Sequence, residues 1–406
     1  MPEQLTTTQS LMATYQRFPL ELAKGKESFV WDTDGNRYLD YTSGIATCNL
    51  GHVPDEVKEK VEHQLSQLWH CSNLYQIPQQ EQLADILIQK SCLDQVFFCN
   101  SGAEANEAAI KLARKYSQKI KQQKAFEIVT FNQSFHGRSM ATLSATGQEK
   151  IQDGFYPLVD GFRHLPFNNF EALNEVSNGR TCAVLLELIQ GEGGVIPADI
   201  EWVQELARIC QRNGLLLMVD EIQTGIGRTG TLFAYEQYGI EPDVITLAKG
   251  LGSGFPIGAM LAKTDAAKAF DPGSHGSTFG GNPLAATAGK ATLETIQRYH
   301  LLESVQENSK YLKRKLDILK TKFHHSIVEI RGKGMLLGVV TKQDAITVVH
   351  EARKKKVLIL SAGQNVVRIL PPLTTDRAEI DSFLSVMEEI FDSLEKEGED
   401  LWKKDI

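Results

Sequence analysis

The residues best equipped for chemistry are an acid and an amine, each closing a short apolar run. Leu215-Leu216-Leu217-Met218-Val219 ends in Asp220, and Asp243-Val244-Ile245-Thr246-Leu247-Ala248 delivers Lys249 into Gly250-Leu251-Gly252-Ser253-Gly254. Runs of this length and composition read as strands buried on both faces. Neighbouring strands of a parallel sheet share the crevice outside their carboxyl ends, where open α/β sheets bind ligands. An acid beside a lysine there fits pyridoxal 5'-phosphate (PLP): the lysine bonds the aldehyde carbon, and the acid keeps the pyridine nitrogen protonated so that the ring withdraws electrons. Standing alone, the two residues would be read as an ordinary strand-end aspartate and a solvated lysine.

Positioning such a pair takes a covered sheet, and the chain carries that pattern. Strands and helices alternate from Val96-Phe97-Phe98-Cys99, through a helix over 103–119 and Glu127-Ile128-Val129-Thr130, to Ala183-Val184-Leu185-Leu186 and on to Ala248. The alternation predicts an α/β fold with a mostly parallel central sheet covered by helices. Ahead of it, residues 1 to about 28 read as a polar arm anchored by Tyr15, Arg17, Phe18 and Pro19. Glu27 to Tyr41 reads as a hairpin turning at Asp34-Gly35-Asn36, and 54–69 and 79–89 have helical spacing. From about residue 283, helices over 283–298, 302–321, 344–355 and 376–394 flank short strands at 327–330, 335–340, 357–360 and 366–370, with a charged tail from Glu395. These strands lack a crossover helix between each, which predicts a smaller α+β domain. The expected division is an arm and hairpin over 1–53 packing with the small domain, a large cofactor-binding domain over 54–290 and the small domain over 291–406.

At 406 residues the chain exceeds the usual size of one core, and 42% hydrophobic residues suffice for two. A net charge of -8 argues against nucleic acid as a partner, so an anionic substrate needs local arginines. The six cysteines, Cys48, Cys71, Cys92, Cys99, Cys182 and Cys210, form no C-x-x-C pair and suit reduced thiols. No metal-ligand spacing is present. Met1-Pro2-Glu3-Gln4 opens no basic-then-apolar leader, and no apolar run is long enough to span a membrane, so a soluble, cytoplasmic protein is expected.

Phe97-Phe98-Cys99-Asn100-Ser101-Gly102-Ala103-Glu104 reads as strand, small-residue turn and helix start, so bare N–H groups and the positive helix end would face an anion. Ser101 or Asn100 also suits a plain N-cap, and the two readings are compatible. Gly276-Ser277-Thr278-Phe279-Gly280-Gly281 is a second glycine-rich loop with hydroxyls, for which an ordinary loop is an equal reading. Gly225-Ile226-Gly227-Arg228-Thr229-Gly230 matches the dinucleotide fingerprint G-x-G-x-x-G, but Glu221-Ile222-Gln223-Thr224 separate it from its strand. A nicotinamide site is therefore not expected there.

Taken together, the chain resembles the class III, fold type I PLP-dependent aminotransferases, and most closely the acetylornithine aminotransferases among them. The matching blocks run from Asn100-Ser101-Gly102-Ala103-Glu104-Ala105-Asn106 and Phe135-His136-Gly137-Arg138 through Gln190-Gly191-Glu192-Gly193-Gly194 and Asp220-Glu221-Ile222-Gln223-Thr224-Gly225. They continue with Ala248-Lys249-Gly250-Leu251, Ser277-Thr278-Phe279-Gly280-Gly281-Asn282-Pro283 and Arg368-Ile369-Leu370-Pro371-Pro372-Leu373. The resemblance covers about residues 15–390 in the family's order.

The resemblance implies the site position by position. Lys249 and Asp220 would be the catalytic pair. Ser101, Gly102 and Ala103 would bind the phosphate, with Thr278 reaching it from the partner subunit of a homodimer. Phe135 and Ile222 would enclose the ring, Gln223 would approach its phenolic oxygen, and Glu187 would lie near it, here followed by Leu188 where the family usually has proline. Arg138 would take the α-carboxylate of a substrate that reacts through its δ-amine, with Ser277 and Ser72-Asn73-Leu74-Tyr75 toward the acyl end. Arg368 would take the carboxylate beside the reacting carbon of glutamate, and Glu192 would pair with Arg368 when no such carboxylate is present; a permanent Glu192–Arg368 salt bridge is the other reading. The implied activity is transfer of the δ-amino group of N-acetylornithine to 2-oxoglutarate, in arginine biosynthesis. Succinylornithine, ornithine δ- and 4-aminobutyrate aminotransferases are close alternatives, and a PLP aminomutase is a remote one.

Overall fold

The computed structural model describes residues 10–402. Its centre is a seven-stranded sheet in the order Gln95–Cys99, Gly258–Ala262, Val244–Leu247, Leu216–Asp220, Thr181–Glu187, Glu127–Phe131, Phe162–Leu165. Six strands run one way and Gly258–Ala262 runs against both its neighbours.

The apolar runs have no alternation in sequence because both faces are buried. Along Leu216–Asp220, Leu217 and Val219 enter one core with Leu186, Ile245 and Trp202, while Leu216 and Met218 enter another with Leu185, Val244 and Leu112. A period of two divides one hydrophobic stretch between two helical layers. Helix Gly102–Lys115 covers the second face, and Pro78–Gln89, Ile200–Asn213 and Pro283–Arg298 cover the first. Their ends are marked in the sequence. Asp199 accepts a hydrogen bond from the Trp202 N–H at 2.9 Å, and Gly214 ends that helix at φ 63°, a conformation that favours glycine. Such an N-cap contributes about 1 kcal/mol.

The C-terminal part builds its own core. Strands Ile327–Lys333, Leu336–Thr341, Val366–Ile369 and Leu360–Ser361 form an antiparallel sheet. Helices Leu301–Lys322, Ala345–Lys354 and Arg377–Trp402 bury Leu312, Leu316, Val348, Phe383 and Met387 against Val339 and Val367. The N-terminal strands Leu22–Lys26, Phe29–Asp32 and Arg37–Asp40 extend through Val357–Leu358, which pairs parallel to Arg37–Asp40. Phe18 touches this part, with the Arg353 guanidinium 4.3 Å from its ring centroid, but Tyr15, Arg17, Phe18 and Pro19 are all exposed and bury no anchor for the arm.

Several elements depart from the sequence expectation. Strand Leu22–Lys26 widens the hairpin into a three-stranded ribbon, and the run at 357–360 is divided between two sheets. The helix from Gly102 gives way at Tyr116–Ile120 to a wider π turn, and the last helix continues past Leu394 to Trp402, through the start of the expected charged tail. Residues 1–9 of the arm and 403–406 of the tail lie outside the described residues. No helix among the described residues is long and apolar enough to cross a membrane.

Candidate active site

Strands Leu216–Asp220 and Val244–Leu247 are adjacent and parallel, with Asp220 opposite Thr246, so Asp220 and Lys249 emerge at the same end of the sheet. They line one cavity of about 430 Å³ with Ser101, Gly102, Ala103 and Phe135. A larger cavity of about 540 Å³ opens at the opposite, amino ends of these strands beside Cys210 and Asp243, and it holds neither catalytic candidate. Lys249 has φ 41°, a left-handed conformation that a lysine rarely adopts. Strain of this kind costs roughly 1–3 kcal/mol and gathers at functional sites. The Lys249 amine makes no hydrogen bond to a described residue, and burial pulls its pKa below the ordinary lysine range.

Asp220 is 4% exposed and held on three sides. Its Oδ2 accepts from Asn106 Nδ2 at 2.8 Å and from His136 Nδ1 at 2.8 Å, and its Oδ1 accepts from the Ile222 N–H at 3.0 Å. An ionised carboxylate only accepts, so the proton shared with His136 sits on Nδ1. Asn106 is itself oriented by Thr246, whose hydroxyl donates to Asn106 Oδ1 at 2.7 Å from the lysine's strand. His136 and Asn106 lie inside the quoted motif blocks but were given no role from sequence. The available signal was the placement of two polar residues, one on a buried helix face and one beside Phe135.

Phe135 and Ile222 both line the cavity as apolar walls. The Phe135 N–H donates to Glu187 Oε2 at 2.9 Å, and the Glu187 carboxyl is pushed well up by burial and next by the charge of Asp220. A Cβ on Gly102 would lie 2.8 Å from Ile222 Cδ1, so only glycine lets this helix start approach the isoleucine wall. Ser101 caps the helix, accepting from the Glu104 N–H at 3.2 Å. The N–H groups of Gly102 and Ala103 belong to the first turn, where a helix has no acceptor of its own.

Arg368, 2% exposed, donates through Nη1 to Glu192 Oε1 at 2.5 Å and through Nη2 to Glu192 Oε2 at 3.3 Å. Nη1 also reaches the Gly191 carbonyl and Gln223 Oε1, each at 3.2 Å. Burial pushes the Glu192 carboxyl up, but the charge and hydrogen bond of Arg368, the Lys249 charge and the Gln223 hydrogen bond together outweigh it and hold the group below its ordinary value. A Cβ on Gly191 would lie 2.1 Å from Gln223 Oε1, so glycine there makes room for the amide. Arg138 sits exposed on the cavity rim, its guanidinium 5.6 Å from the Phe135 ring centroid, in no ion pair among the described residues.

Ser277 and Thr278 are not brought to this cavity within one chain. They line a separate surface cleft with Phe97, Cys99 and Asn100, where Ser277 Oγ accepts from Asn100 Nδ2 at 3.2 Å. Asn73 reaches the same loop by donating to the Ser277 carbonyl at 3.1 Å. The Gly225–Gly230 run is a series of turns that does not lead directly into a helix start. It presents fully buried Arg228, which donates to Asn49 Oδ1 at 2.7 Å and to the carbonyls of Met335 and Pro371, fastening the loop to the C-terminal part.

The model of the family "Aminotransferase class-III" matches residues 11–391. The chain belongs to the class-III aminotransferase family. It is 58% identical over 381 residues to the acetylornithine aminotransferase of Oceanobacillus iheyensis, covering 94% of this chain and 95% of that one. It is 49% identical to the acetylornithine aminotransferase of Listeria innocua, covering 93% and 97% of the two chains. Among solved structures, the N-acetylornithine aminotransferase of Stenotrophomonas maltophilia K279a aligns with TM-score 0.82 at 35% identity over 94% of this chain and 97% of that one. The ornithine aminotransferase of Toxoplasma gondii ME49 aligns with TM-score 0.92 at 29% identity, covering 96% and 94%. Class-III aminotransferases are PLP-dependent transaminases, and this is such an enzyme. The cavity suits that cofactor: it joins an amine with no hydrogen-bond partner among the described residues, a pinned carboxylate, two apolar walls and a bare helix start.

Proposed function

We propose that this aminotransferase moves the δ-amino group of N-acetylornithine to 2-oxoglutarate, yielding N-acetylglutamate 5-semialdehyde and glutamate, as a cytoplasmic step of arginine biosynthesis. The observation that carries the reading is the contrast between two arginines: Arg138 on the rim is in no ion pair among the described residues, and Arg368 is paired with Glu192 inside. A donor reacting through its terminal amine has its carboxylate at the far end of the cavity, where Arg138 offers a bidentate fork. Near the reacting carbon it brings no charge, and Glu192 keeps Arg368 neutralised. 2-Oxoglutarate does bring a carboxylate there, and Arg368 takes it once Glu192 swings aside.

PLP, when bound, supplies the electron sink that makes a proton on the amine-bearing carbon removable. The remaining tasks fall to the chain. The half-buried Lys249 amine, its pKa lowered by burial, would take that proton and return it. Asp220 keeps the ring nitrogen protonated, while Asn106 and His136 hold the carboxylate in place. Phe135 and Ile222 would enclose the ring and exclude water, with Gln223 and Glu187 lining the same cavity to hold it. Ser101, Gly102 and Ala103 hold the phosphate at the helix start. In the proposed homodimer the partner subunit's Thr278 completes that cradle, which fits the position of this loop outside its own chain's cavity.

The test is a comparison of kcat/KM for acetylornithine, succinylornithine, ornithine and 4-aminobutyrate with 2-oxoglutarate as acceptor. Acetylornithine is expected first, or level with succinylornithine. Preference for ornithine or 4-aminobutyrate overturns the assignment of the acylated donor, and turnover independent of 2-oxoglutarate overturns transamination in favour of an aminomutase.

A further inference from the structure

A separate cavity of about 420 Å³ lies where three segments meet: the end of the glycine run at Thr229, Gly230 and Thr231, the helix Leu301–Lys322, and the turn between strands Ile327–Lys333 and Leu336–Thr341. It shares no lining residue with the Lys249 cavity. Its wall carries Lys310, Lys313 and Lys333 and no carboxylate. That runs against the composition, in which 51 acids outnumber 43 Lys and Arg. We propose that this cleft binds a small, multiply charged phosphate compound, held by Lys310, Lys313 and Lys333.

The three ammonium groups form no ion pair with a described residue, although lysines further along the same helix and on later elements do, Lys322 with Glu388 and Lys355 with Glu389 among them. Lys333 is half-buried and lines the cleft, its ammonium 4.4 Å from the Tyr238 ring centroid in a cation–π contact that fixes the charge at the wall. Burial, and next the charge of Lys313, push the Lys333 amine down, which means that like charges converge there without a counter-charge. An anion between them relieves the repulsion and the desolvation together.

The walls are already fastened. Gln306 Nε2 donates to the Gly230 carbonyl at 2.7 Å and the Met335 N–H to the Arg228 carbonyl at 2.9 Å. Gly334, at φ 57°, packs so closely that a Cβ would lie 2.4 Å from the Thr229 carbonyl carbon. A ligand therefore meets a preformed cleft and bears little of the ordering cost. Lysines act as separate point charges and bind phosphate well, whereas planar carboxylate recognition favours the arginine fork. Three of them spread over a helix and a hairpin turn, with the hydroxyls of Thr231 and Ser309 nearby, match several phosphate oxygens better than one carboxylate.

The reading stands apart from the aminotransferase assignment and is tested on the holoenzyme, in which the cofactor already fills the cradle at Ser101–Ala103. Isothermal titration with pyrophosphate at fixed ionic strength is expected to give one saturable site per chain. Parallel titrations with inorganic phosphate and ATP separate a free phosphate from a nucleotide as the preferred source. The double variant Lys310→Gln, Lys313→Gln removes two of the three charges at exposed positions and is expected to weaken binding roughly ten- to a hundredfold. Lys320→Gln, on the same helix but outside the cleft, is expected to leave it unchanged. No saturable heat with any of the three titrants, affinity retained in the double variant, or an equal loss in Lys320→Gln would each overturn the site.

Discussion

Replacing Glu192 by glutamine removes the charge that holds Arg368 while nearly keeping the shape. Arg368 is 2% exposed and its Nε already has no partner, so its guanidinium depends on the contacts made by Nη1 and Nη2. Losing a buried pair outright costs about 3–5 kcal/mol. Here the Gly191 carbonyl and Gln223 Oε1 remain, and the Glu192 side chain is 29% exposed, so the loss of one charge-assisted contact, about 1.5–3 kcal/mol, is the better measure. A substrate carboxylate beside the reacting carbon can recover that energy, and a δ-amine donor cannot. The ratio of rates with glutamate and with acetylornithine is therefore expected to move toward glutamate by roughly tenfold or more. Glu192 also supports the Lys249 charge, so its loss should lower the lysine's pKa further, an effect common to both donors that cancels in the ratio. Single-turnover absorbance traces of the holoenzyme with each donor measure both effects. Equal slowing of the two half-reactions, with the ratio unchanged, refutes a moving gate and leaves a fixed bridge.

Three further outcomes are expected. Lys249→Ala should abolish turnover while the holoenzyme still forms through the phosphate cradle; loss of the proton carrier alone costs about 10²–10⁴ in rate, and near-normal activity without added amine removes Lys249 from the chemistry. Arg138→Ala should raise KM for acetylornithine roughly ten- to a hundredfold and change the 2-oxoglutarate KM much less, as steady-state kinetics with each substrate varied will show. Glu221 is raised by burial from 4.5 to about 7, so between those values the folded state keeps a proton that the unfolded state has released. Stability therefore falls as pH rises through that window, by at most about 3 kcal/mol from this group, and urea midpoints of Glu221→Gln should lack that part of the slope.

Much of the fold was legible because the central strands are buried on both faces: a run such as Leu215 to Val219 has no other good home in a folded chain. The strand Gly258–Ala262 was harder to see. Gly-Ala-Met-Leu-Ala has little β-branched or aromatic content, and its direction against both neighbours depends on partners distant in sequence. The run at 357–360 looked like one strand, because a local pattern cannot show that Val357–Leu358 joins the N-terminal ribbon while Leu360–Ser361 turns to Val366–Ile369. The helix Arg377–Trp402 overran its expected end because Glu395-Lys396-Glu397 are good helix formers with no proline among them, and Gly398 alone does not stop it.

At the site, the motif residues Phe135, Ile222, Asp220 and Lys249 do come together around one cavity, but the sequence did not show what fixes their geometry. Asp220 reads in sequence as a strand-end acid. In three dimensions it is oriented by Asn106 from the helix after the phosphate turn, by His136 from the loop that supplies Phe135, and through Asn106 by Thr246 from the lysine's own strand. Each of these segments also lines or adjoins the cavity, so one buried network ties the cradle, the ring wall and the lysine strand to a single carboxylate. Such networks set orientation more than they add stability, because a buried polar group is costly unless every partner is in place. That is a long-range property: Asn106 and Asp220 are neighbours only after the sheet has formed, and no spacing rule within either block could have announced it.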